Sequence, residues 1–215
     1  MIERHSVNTK GRDFFVGDIH GQYDLLMAGL ARVAFNKESD RLFSVGDLID
    51  RGIDSFKCLS LAFEPWFYGV RGNHEMLALN ALEQGGKHWD LWLMNGGTWA
   101  LSENIQDVKQ ILGEALRHLP YAREVETVSG ARIGVVHAEP PCDWRDVEDA
   151  NREQMVWGRE RIKSGDASLV ANIHAVVVGH TIRERPHALG NVIYIDTGAF
   201  ITGCLTLLDA REIPE

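Results

Sequence analysis

Short hydrophobic runs recur along this chain, and each one ends at a cluster of glycines and polar residues. Three lie in the first half and two in the second: Asp13–Val16, Arg41–Val45, Trp66–Val70, Ile133–Val136 and Val176–Val178. Apolar runs of this length, bounded by glycine, are typical of buried strands. The pattern therefore predicts five strands that each lead into a polar turn.

Helical spacing of apolar residues follows most of these turns. It predicts helices over Tyr23–Val33, Ser55–Ala62, Glu75–Glu83 and Asp107–Leu119. An alternation of strand, polar motif and helix is typical of an α/β fold. In such folds the functional side chains gather at the carboxyl ends of the strands.

The second half of the chain is richer in strands. Ser129-Gly130 predicts a hairpin turn between strands at Glu124–Val128 and Arg132–Val136. Further strands are predicted at Ala175–Val178, Val192–Ile195 and Cys204–Leu208, with tight turns at Gly190-Asn191 and Thr202-Gly203. Two face-to-face sheets with helices outside would use all these elements. Residues 143–171 show no clear pattern that predicts a helix or a strand.

Composition narrows the class of protein. The length of 215 residues fits one domain over residues 1–215, and the net charge of −9 argues against a nucleic-acid partner. No hydrophobic run approaches the roughly 20 residues that span a bilayer, so no membrane partner is expected. The N-terminus lacks the apolar region of a signal peptide, and an odd count of three cysteines favours a reducing compartment. We expect a cytoplasmic protein.

Metal-binding residue types occupy the turns. Asp18 and His20 are two residues apart, so in an extended segment both can reach one cation. Asp47 follows the second strand as Asp18 follows the first. Two carboxylates at neighbouring strand ends would repel each other unless cations lay between them. Asp47 is the natural bridging ligand, because a carboxylate can offer an oxygen to each of two ions.

The remaining turns supply neutral ligands. Asn73 offers an amide oxygen, and His137 and His180 offer nitrogen. Either histidine by itself could be an ordinary core or surface residue, but five such turns together favour a site for two divalent cations. Mixed nitrogen and oxygen ligands favour Mn²⁺, with Fe²⁺, Zn²⁺ or Mg²⁺ as alternatives.

Four further residues in and beside the motifs suggest catalysis. His74 could protonate a leaving oxygen, with Asp50 orienting its imidazole, although Asp50 could instead cap the following turn. Arg51 and Arg71 flank the same loops, and guanidinium groups match phosphate oxygens. Surface ion pairs are the alternative for both arginines.

Three segments resemble the signatures of the phosphoprotein phosphatase family of metallophosphoesterases. They are Gly17-Asp18-Ile19-His20-Gly21, Gly46-Asp47-Leu48-Ile49-Asp50-Arg51-Gly52 and Gly72-Asn73-His74-Glu75. The length and the stretch Leu91–Gly97 are most similar to the bacteriophage lambda-type and bacterial serine/threonine phosphatases. The resemblance implies a four-layer α/β sandwich, with two mixed sheets flanked by helices.

The resemblance also implies how the site works. It assigns Asp18, His20 and Asp47 to one metal, and Asp47, Asn73, His137 and His180 to the other. A metal-bridging hydroxide would attack phosphorus directly, with His74 and Asp50 as the general acid pair. The resemblance implies phosphate binding by Arg51, Arg71 and Arg159.

The expected function is a phosphomonoester hydrolase acting on phosphoserine and phosphothreonine of proteins or peptides, with phosphotyrosine as a further substrate. A symmetrical diadenosine tetraphosphate hydrolase shares every motif, and a non-catalytic metal-binding interaction module is a second alternative. The chain ends soon after Asp196-Thr197-Gly198, without the longer C-terminal region of eukaryotic members, so no regulatory subunit is expected.

Overall fold

The computed structural model describes residues 2–213, in which ten strands form two sheets. The strands are β1 (Ile2–His5), β2 (Asp13–Val16), β3 (Arg41–Ser44), β4 (Phe67–Gly69), β5 (Ala122–Glu126), β6 (Arg132–Val136), β7 (Ala175–Val178), β8 (His187–Leu189), β9 (Val192–Tyr194) and β10 (Leu207–Asp209). One sheet has the order β10-β2-β3-β4 and the other β1-β5-β6-β7-β9-β8. Both sheets mix parallel and antiparallel pairs.

Eight α-helices connect the strands within the described residues. They are α1 (Tyr23–Arg32), α2 (Ser55–Leu59), α3 (Asn73–Gln84), α4 (Lys87–Met94), α5 (Ile105–His118), α6 (Arg152–Trp157), α7 (Glu160–Ser164) and α8 (Ala199–Thr202). Short 3₁₀ helices lie at Ser60–Phe63, Gly97–Ser102, Trp144–Asp146 and Ala210–Glu212.

The two sheets pack face to face because their strands alternate apolar side chains on both surfaces. In β2, Phe15 enters a buried cluster with Val135 of β6 and Val177 of β7. Phe14 and Val16 point the other way, into a core made with the helices that cover the four-stranded sheet. Val176 and Val178 of β7 likewise pack outward, against Trp144 and Met155. The result is the predicted four-layer α/β sandwich with helices outside two mixed sheets.

Strand direction brings the predicted motifs to one edge. Strands β2, β3 and β4 run parallel to one another, and so do β6 and β7. The loops after these strands meet across the two sheets, because His137 hydrogen-bonds the carbonyl of Val45 and His180 hydrogen-bonds Asp18. Polar turns that are far apart in sequence therefore share one region of the molecule.

Some local predictions were wrong or incomplete. The third predicted helix begins at Asn73, two residues before the predicted Glu75, so Asn73 and His74 lie in its first turn. Thr202-Gly203 ends α8 and does not form a tight turn between strands, because Gly203 adopts φ +66° as a helix C-cap. The last predicted strand, Cys204–Leu208, is observed at Leu207–Asp209. Strands β1 and β8 and helix α4 were not predicted.

Among residues 2–213, we find no helix that is both long enough and apolar enough to cross a bilayer. The expectation of one domain over residues 1–215 stays a prediction, since Met1, Pro214 and Glu215 lie outside the described residues.

Candidate metal centre

The ends of five strands deliver the six predicted ligands to one buried cluster. Asp18 and His20 follow β2, Asp47 follows β3, Asn73 follows β4, His137 follows β6 and His180 follows β7. All six are buried, with exposed fractions between 0% and 7%. The structure therefore brings together every residue that the sequence nominated as a ligand.

The loops hold these residues in unusual backbone conformations. Five non-glycine residues of the cluster and its rim have positive φ: His20 (46°), Asp47 (51°), Asp50 (72°), Arg51 (70°) and His180 (64°). Such conformations are costly for residues with a side chain, and they concentrate at functional sites. At each of these positions the backbone conformation directs a polar side chain towards the cluster.

Asp47 lies at the centre of the cluster. Its Oδ2 is 3.5 Å from Nε2 of His137, 3.6 Å from Nε2 of His20 and 4.0 Å from Nε2 of His74. Its Oδ1 accepts a hydrogen bond of 3.0 Å from the backbone N–H of His74. Asp47 is thus shared between two groups of side chains that could each hold a cation, one with His20 and His74 and the other with His137 and His180, as a bridging ligand requires.

Backbone carbonyls fix the tautomers of two histidines. Nδ1 of His20 donates to the carbonyl of Ile49 at 2.9 Å, and Nδ1 of His137 donates to the carbonyl of Val45 at 2.7 Å. The Nε2 lone pair of each ring is therefore directed into the cluster, the arrangement that metal-binding histidines adopt. Burial lowers the pKa of His20 to about 3 and also lowers that of His137, so both imidazoles are neutral near pH 7.

In the second group, which is Asp47, His137 and His180 with the adjacent Asn73, nitrogen and oxygen atoms converge. Nε2 of His137 lies 2.9 Å from Oδ1 of Asn73 and 3.2 Å from Nδ1 of His180. Nε2 of His180 is buried and has no hydrogen-bond partner within the part of the chain that the structure describes. Burial lowers the pKa of His180 to about 3. This set of lone pairs fits a divalent cation.

Two buried carboxylates beside Asp47 give the same indication. Burial raises the pKa of Asp18, and the nearby carboxylates of Asp196 and Asp47 raise it further. Burial also raises the pKa of Asp196 to about 6, with a further contribution from Asp47. Acids gathered this closely in a dry site need cations for all of them to ionise. The residues present fit a pair of divalent cations.

Asp196 was missed as a candidate by sequence reasoning. It is 2% exposed and follows the apolar run Val192–Ile195, which is the same arrangement that identified Asp18 and Asp47. That signal is present in the sequence but was not used to nominate Asp196. The structure pairs β9 parallel with β7 and brings Asp196 beside Asp18.

His74 differs from its neighbours in the partner of its Nδ1. That atom lies 2.7 Å from Oδ2 of Asp50, which is fully buried. Burial lowers the pKa of His74, but the carboxylates of Asp47 and Asp50 outweigh burial and raise it above the ordinary value. Trp92 and Trp99 donate their indole N–H groups to Asp50 at 2.9 and 2.7 Å. These two tryptophans thus hydrogen-bond Asp50 as well as packing against each other.

Glu75 connects two of the motif loops. Its buried carboxylate accepts hydrogen bonds from the backbone N–H groups of Asp47 (3.1 Å), Leu48 (2.8 Å) and Gly72 (2.7 Å). The loop after β3 is thereby fixed to the start of α3. This role was also missed, although Glu75 completes one of the three motifs.

The three predicted phosphate-binding arginines differ in position. Arg51 reaches over the cluster and lies 3.0 Å from Nε2 of His20 and 2.9 Å from Nε2 of His74. Arg159 is placed beside His180, with Nη2 3.5 Å from that residue's carbonyl. Arg71 instead donates to the carbonyls of Leu116 and Leu119 at the end of α5, at 2.5 and 2.6 Å. Phosphate binding by these arginines stays a prediction.

The site combines nitrogen and oxygen ligand atoms for two cations with a histidine–aspartate pair, and it lies at strand ends of two packed sheets. This combination defines a metal-dependent phosphoesterase. The family model described as "Calcineurin-like phosphoesterase" matches residues 14–185. The chain belongs to this family, which confirms the resemblance seen in the motifs.

Individual relatives agree with that assignment. The chain is 40% identical over 199 residues to serine/threonine-protein phosphatase 1 of Salmonella typhimurium (strain LT2), covering 89% of this chain and 88% of that protein. It is 43% identical over 76 residues to a symmetrical bis(5'-nucleosyl)-tetraphosphatase of Dechloromonas aromatica (strain RCB), covering 34% and 28%. In fold, a crystal structure titled as a putative diadenosine tetraphosphatase matches with a TM-score of 0.71 and 24% identity, covering 96% and 97%.

Proposed function

We propose that this phosphoesterase is a serine/threonine protein phosphatase. The observation that carries the proposal is the His74–Asp50 pair, whose imidazole lies 4.0 Å from the central carboxylate of Asp47. An acid at this position suits esters that leave as a strongly basic alkoxide, as phosphoserine and phosphothreonine do.

Two divalent cations would be held by the two groups of ligands. Asp18, His20 and Asp47 would hold one, and Asp47 with Asn73, His137 and His180 would hold the other. The pair would neutralise phosphate oxygens and activate water. We propose Mn²⁺ as the native ion, since the ligands mix imidazole nitrogen with carboxylate and amide oxygen.

The chain's own residues would manage the proton and the phosphate. His74 would hold a proton on Nε2 and give it to the departing oxygen, while Asp50 keeps the ring oriented through Nδ1. The two indole N–H groups hydrogen-bond the carboxylate of Asp50 and hold it in place against Nδ1 of His74. Arg51 would leave the imidazoles and direct its N–H groups to the phosphate oxygens.

A protein substrate is supported over a dinucleotide by the extent of similarity. The match to the Salmonella phosphatase runs over nearly the whole of both chains, whereas the match to the Dechloromonas tetraphosphatase covers a third of this chain. Phosphorylated protein is therefore the proposed partner, with no regulatory subunit, and the cytoplasm is the proposed location.

The test compares substrates on one protein preparation. Metal-stripped protein is reconstituted with Mn²⁺, and kcat/KM is measured on a phosphoserine peptide, a phosphotyrosine peptide and diadenosine tetraphosphate. We expect the phosphoserine peptide to be preferred over the dinucleotide by at least about tenfold, a transition-state difference of roughly 1.4 kcal/mol. The reverse preference would replace this proposal with the dinucleotide hydrolase. The variant His118→Asn, which changes an exposed histidine away from the cluster, is the matched control for His74→Asn.

A further inference from the structure

A half-buried aromatic ring covers one side of the candidate centre. Phe200 lies in α8, directly after the turn that carries Asp196. Its ring packs edge-on against His20, with ring centroids 5.1 Å apart. The guanidinium carbon of Arg51 lies 4.4 Å from the centre of the same ring.

Arg51 and a cation compete for one atom. Since Nδ1 of His20 donates to the carbonyl of Ile49, the ring has a single lone pair, on Nε2. In the structure this lone pair faces Nη1 of Arg51 at 3.0 Å. A cation bound at His20 takes the same lone pair, so Arg51 must then release this hydrogen bond. The contact with the face of Phe200 does not depend on that lone pair and can persist.

We propose that Phe200 is a positioning residue that keeps the guanidinium of Arg51 beside the centre when cations are bound, with its N–H groups free for phosphate oxygens. A cation over an aromatic face is attracted by the ring quadrupole, and the face makes no demand on the N–H donors, which lie in the guanidinium plane. This role rests on the proposed function of Arg51 in phosphate binding.

The backbone around Phe200 is suited to hold a ring in place. Gly198 donates to the Asp196 carboxylate at 2.8 Å, and Ile201 and Thr202 donate to the carbonyl of Gly198 at 2.8 and 2.9 Å. The short helix is thus tied to a buried acid of the cluster. Ile201, the next residue, is 68% exposed and provides a neighbouring position away from the contact.

The test measures binding of inorganic phosphate to the Mn²⁺-loaded protein by calorimetry, together with metal content. Phe200→Leu removes the ring, and we expect phosphate to bind about 3- to 10-fold more weakly, the size of a partly desolvated cation–π contact. Phe200→Tyr keeps the ring and should bind phosphate as the wild type does. Ile201→Ala is the control and should also behave as the wild type.

A double-mutant cycle separates positioning from a general structural effect. In an Arg51→Ala background, Phe200→Leu should weaken phosphate binding no further, because its effect passes through Arg51. An equal loss in that background, an unchanged affinity in Phe200→Leu, or a loss of bound Mn²⁺ in Phe200→Tyr would overturn the proposal. If Phe200→Leu does not fold, Phe200→Met is used in the same cycle. Phosphate binding is measured without a phosphopeptide, so a wrong assignment of the protein substrate leaves this result interpretable.

Discussion

At the scale of single residues, the group bonded to Nδ1 distinguishes the histidines of the centre. His20 and His137 face backbone carbonyls, which fix a neutral ring with its lone pair on Nε2. His74 faces the carboxylate of Asp50, which favours a ring with protons on both nitrogens. We therefore propose that one residue type supplies both metal ligands and an acid, according to the partner of its Nδ1.

We therefore expect that replacing His74 leaves metal binding unchanged. His74→Asn removes the proton donor and leaves the proposed ligands in place, so we expect kcat on a phosphoserine peptide to fall about 10²- to 10⁴-fold. The loss on nitrophenyl phosphate should be smaller, because a phenolate leaves without needing a proton. Asp50→Asn should show the same pattern more mildly. Equal losses on both substrates, together with loss of metal, would show that His74 is a ligand.

The indole donors to Asp50 can be tested separately. Trp99→Phe keeps most of the ring but removes the N–H that lies 2.7 Å from Oδ1 of Asp50. A hydrogen bond to a charged group contributes about 1.5–3 kcal/mol, so we expect kcat to fall roughly 10-fold or more. KM and metal content should stay near wild-type values. Trp89→Phe provides the control, since Trp89 packs against Trp92 and is not among the donors to Asp50. An unchanged kcat in Trp99→Phe would show that this hydrogen bond does not support the acid.

At the scale of elements, the start of α3 is tied to the loop after β3. The carboxylate of Glu75 accepts three backbone hydrogen bonds from these two segments. Glu75→Gln places an amide N–H among backbone donors, and we expect a loss of about 1–3 kcal/mol in the free energy of unfolding. Denaturant unfolding of metal-free protein measures this change. Glu83→Gln, on an exposed position of the same helix, should change stability little. Similar values for the two variants would contradict the role given to Glu75.

The strands that lead into motifs were predictable because a β-branched run and a polar turn occur together there. Arg132–Val136 and Ala175–Val178 match the observed strands, since β-branched runs end at a polar turn in both. Helix α4 was not predicted, because Trp89 and Trp92 pack on several sides of the helix and its apolar residues therefore show no single helical face. Strand β1 was not predicted either, since it has one buried apolar residue, Ile2, and is held by pairing with β5.

Like the strands and helices, the candidate centre was predictable only where the sequence carries a local signal. The proposed ligands share a local signature, a polar residue after an apolar strand, whereas Trp92 and Trp99 are 42 and 49 residues away from Asp50 in the sequence. Such contacts depend on the packing of helices that sequence spacing does not encode. The position of Arg71 is a further example, because its carbonyl partners belong to the end of α5.

At the scale of the molecule, His5 packs at the contact between the two sheets. Its ring lies against Phe43 and Tyr68 of the four-stranded sheet, and its Nε2 accepts a hydrogen bond of 2.9 Å from Arg123 of the other sheet. Burial, together with the charges of Arg123 and Arg41, lowers the pKa of His5 to about 4.

This pKa has a consequence for acid stability. The unfolded chain protonates His5 near pH 6.5, and the folded chain resists protonation until about pH 4. The unfolded state therefore binds more protons in this window, and stability falls as the pH drops from 6.5 towards 4. His5→Gln retains a hydrogen-bonding group without titrating, so its melting temperature should fall less steeply than that of the wild type. Parallel curves for the two metal-free proteins would contradict this account.

We propose that six side chains hold two cations that share Asp47. The most direct test is elemental analysis of Mn²⁺-reconstituted protein. It compares the wild type with Asp47→Asn and with Asp24→Asn, an exposed control, and we expect two equivalents of Mn²⁺ in the wild type and the control. In Asp47→Asn, both sites should weaken, with activity reduced by orders of magnitude and little recovered by excess Mn²⁺. Two tightly held equivalents and wild-type activity in Asp47→Asn would contradict it.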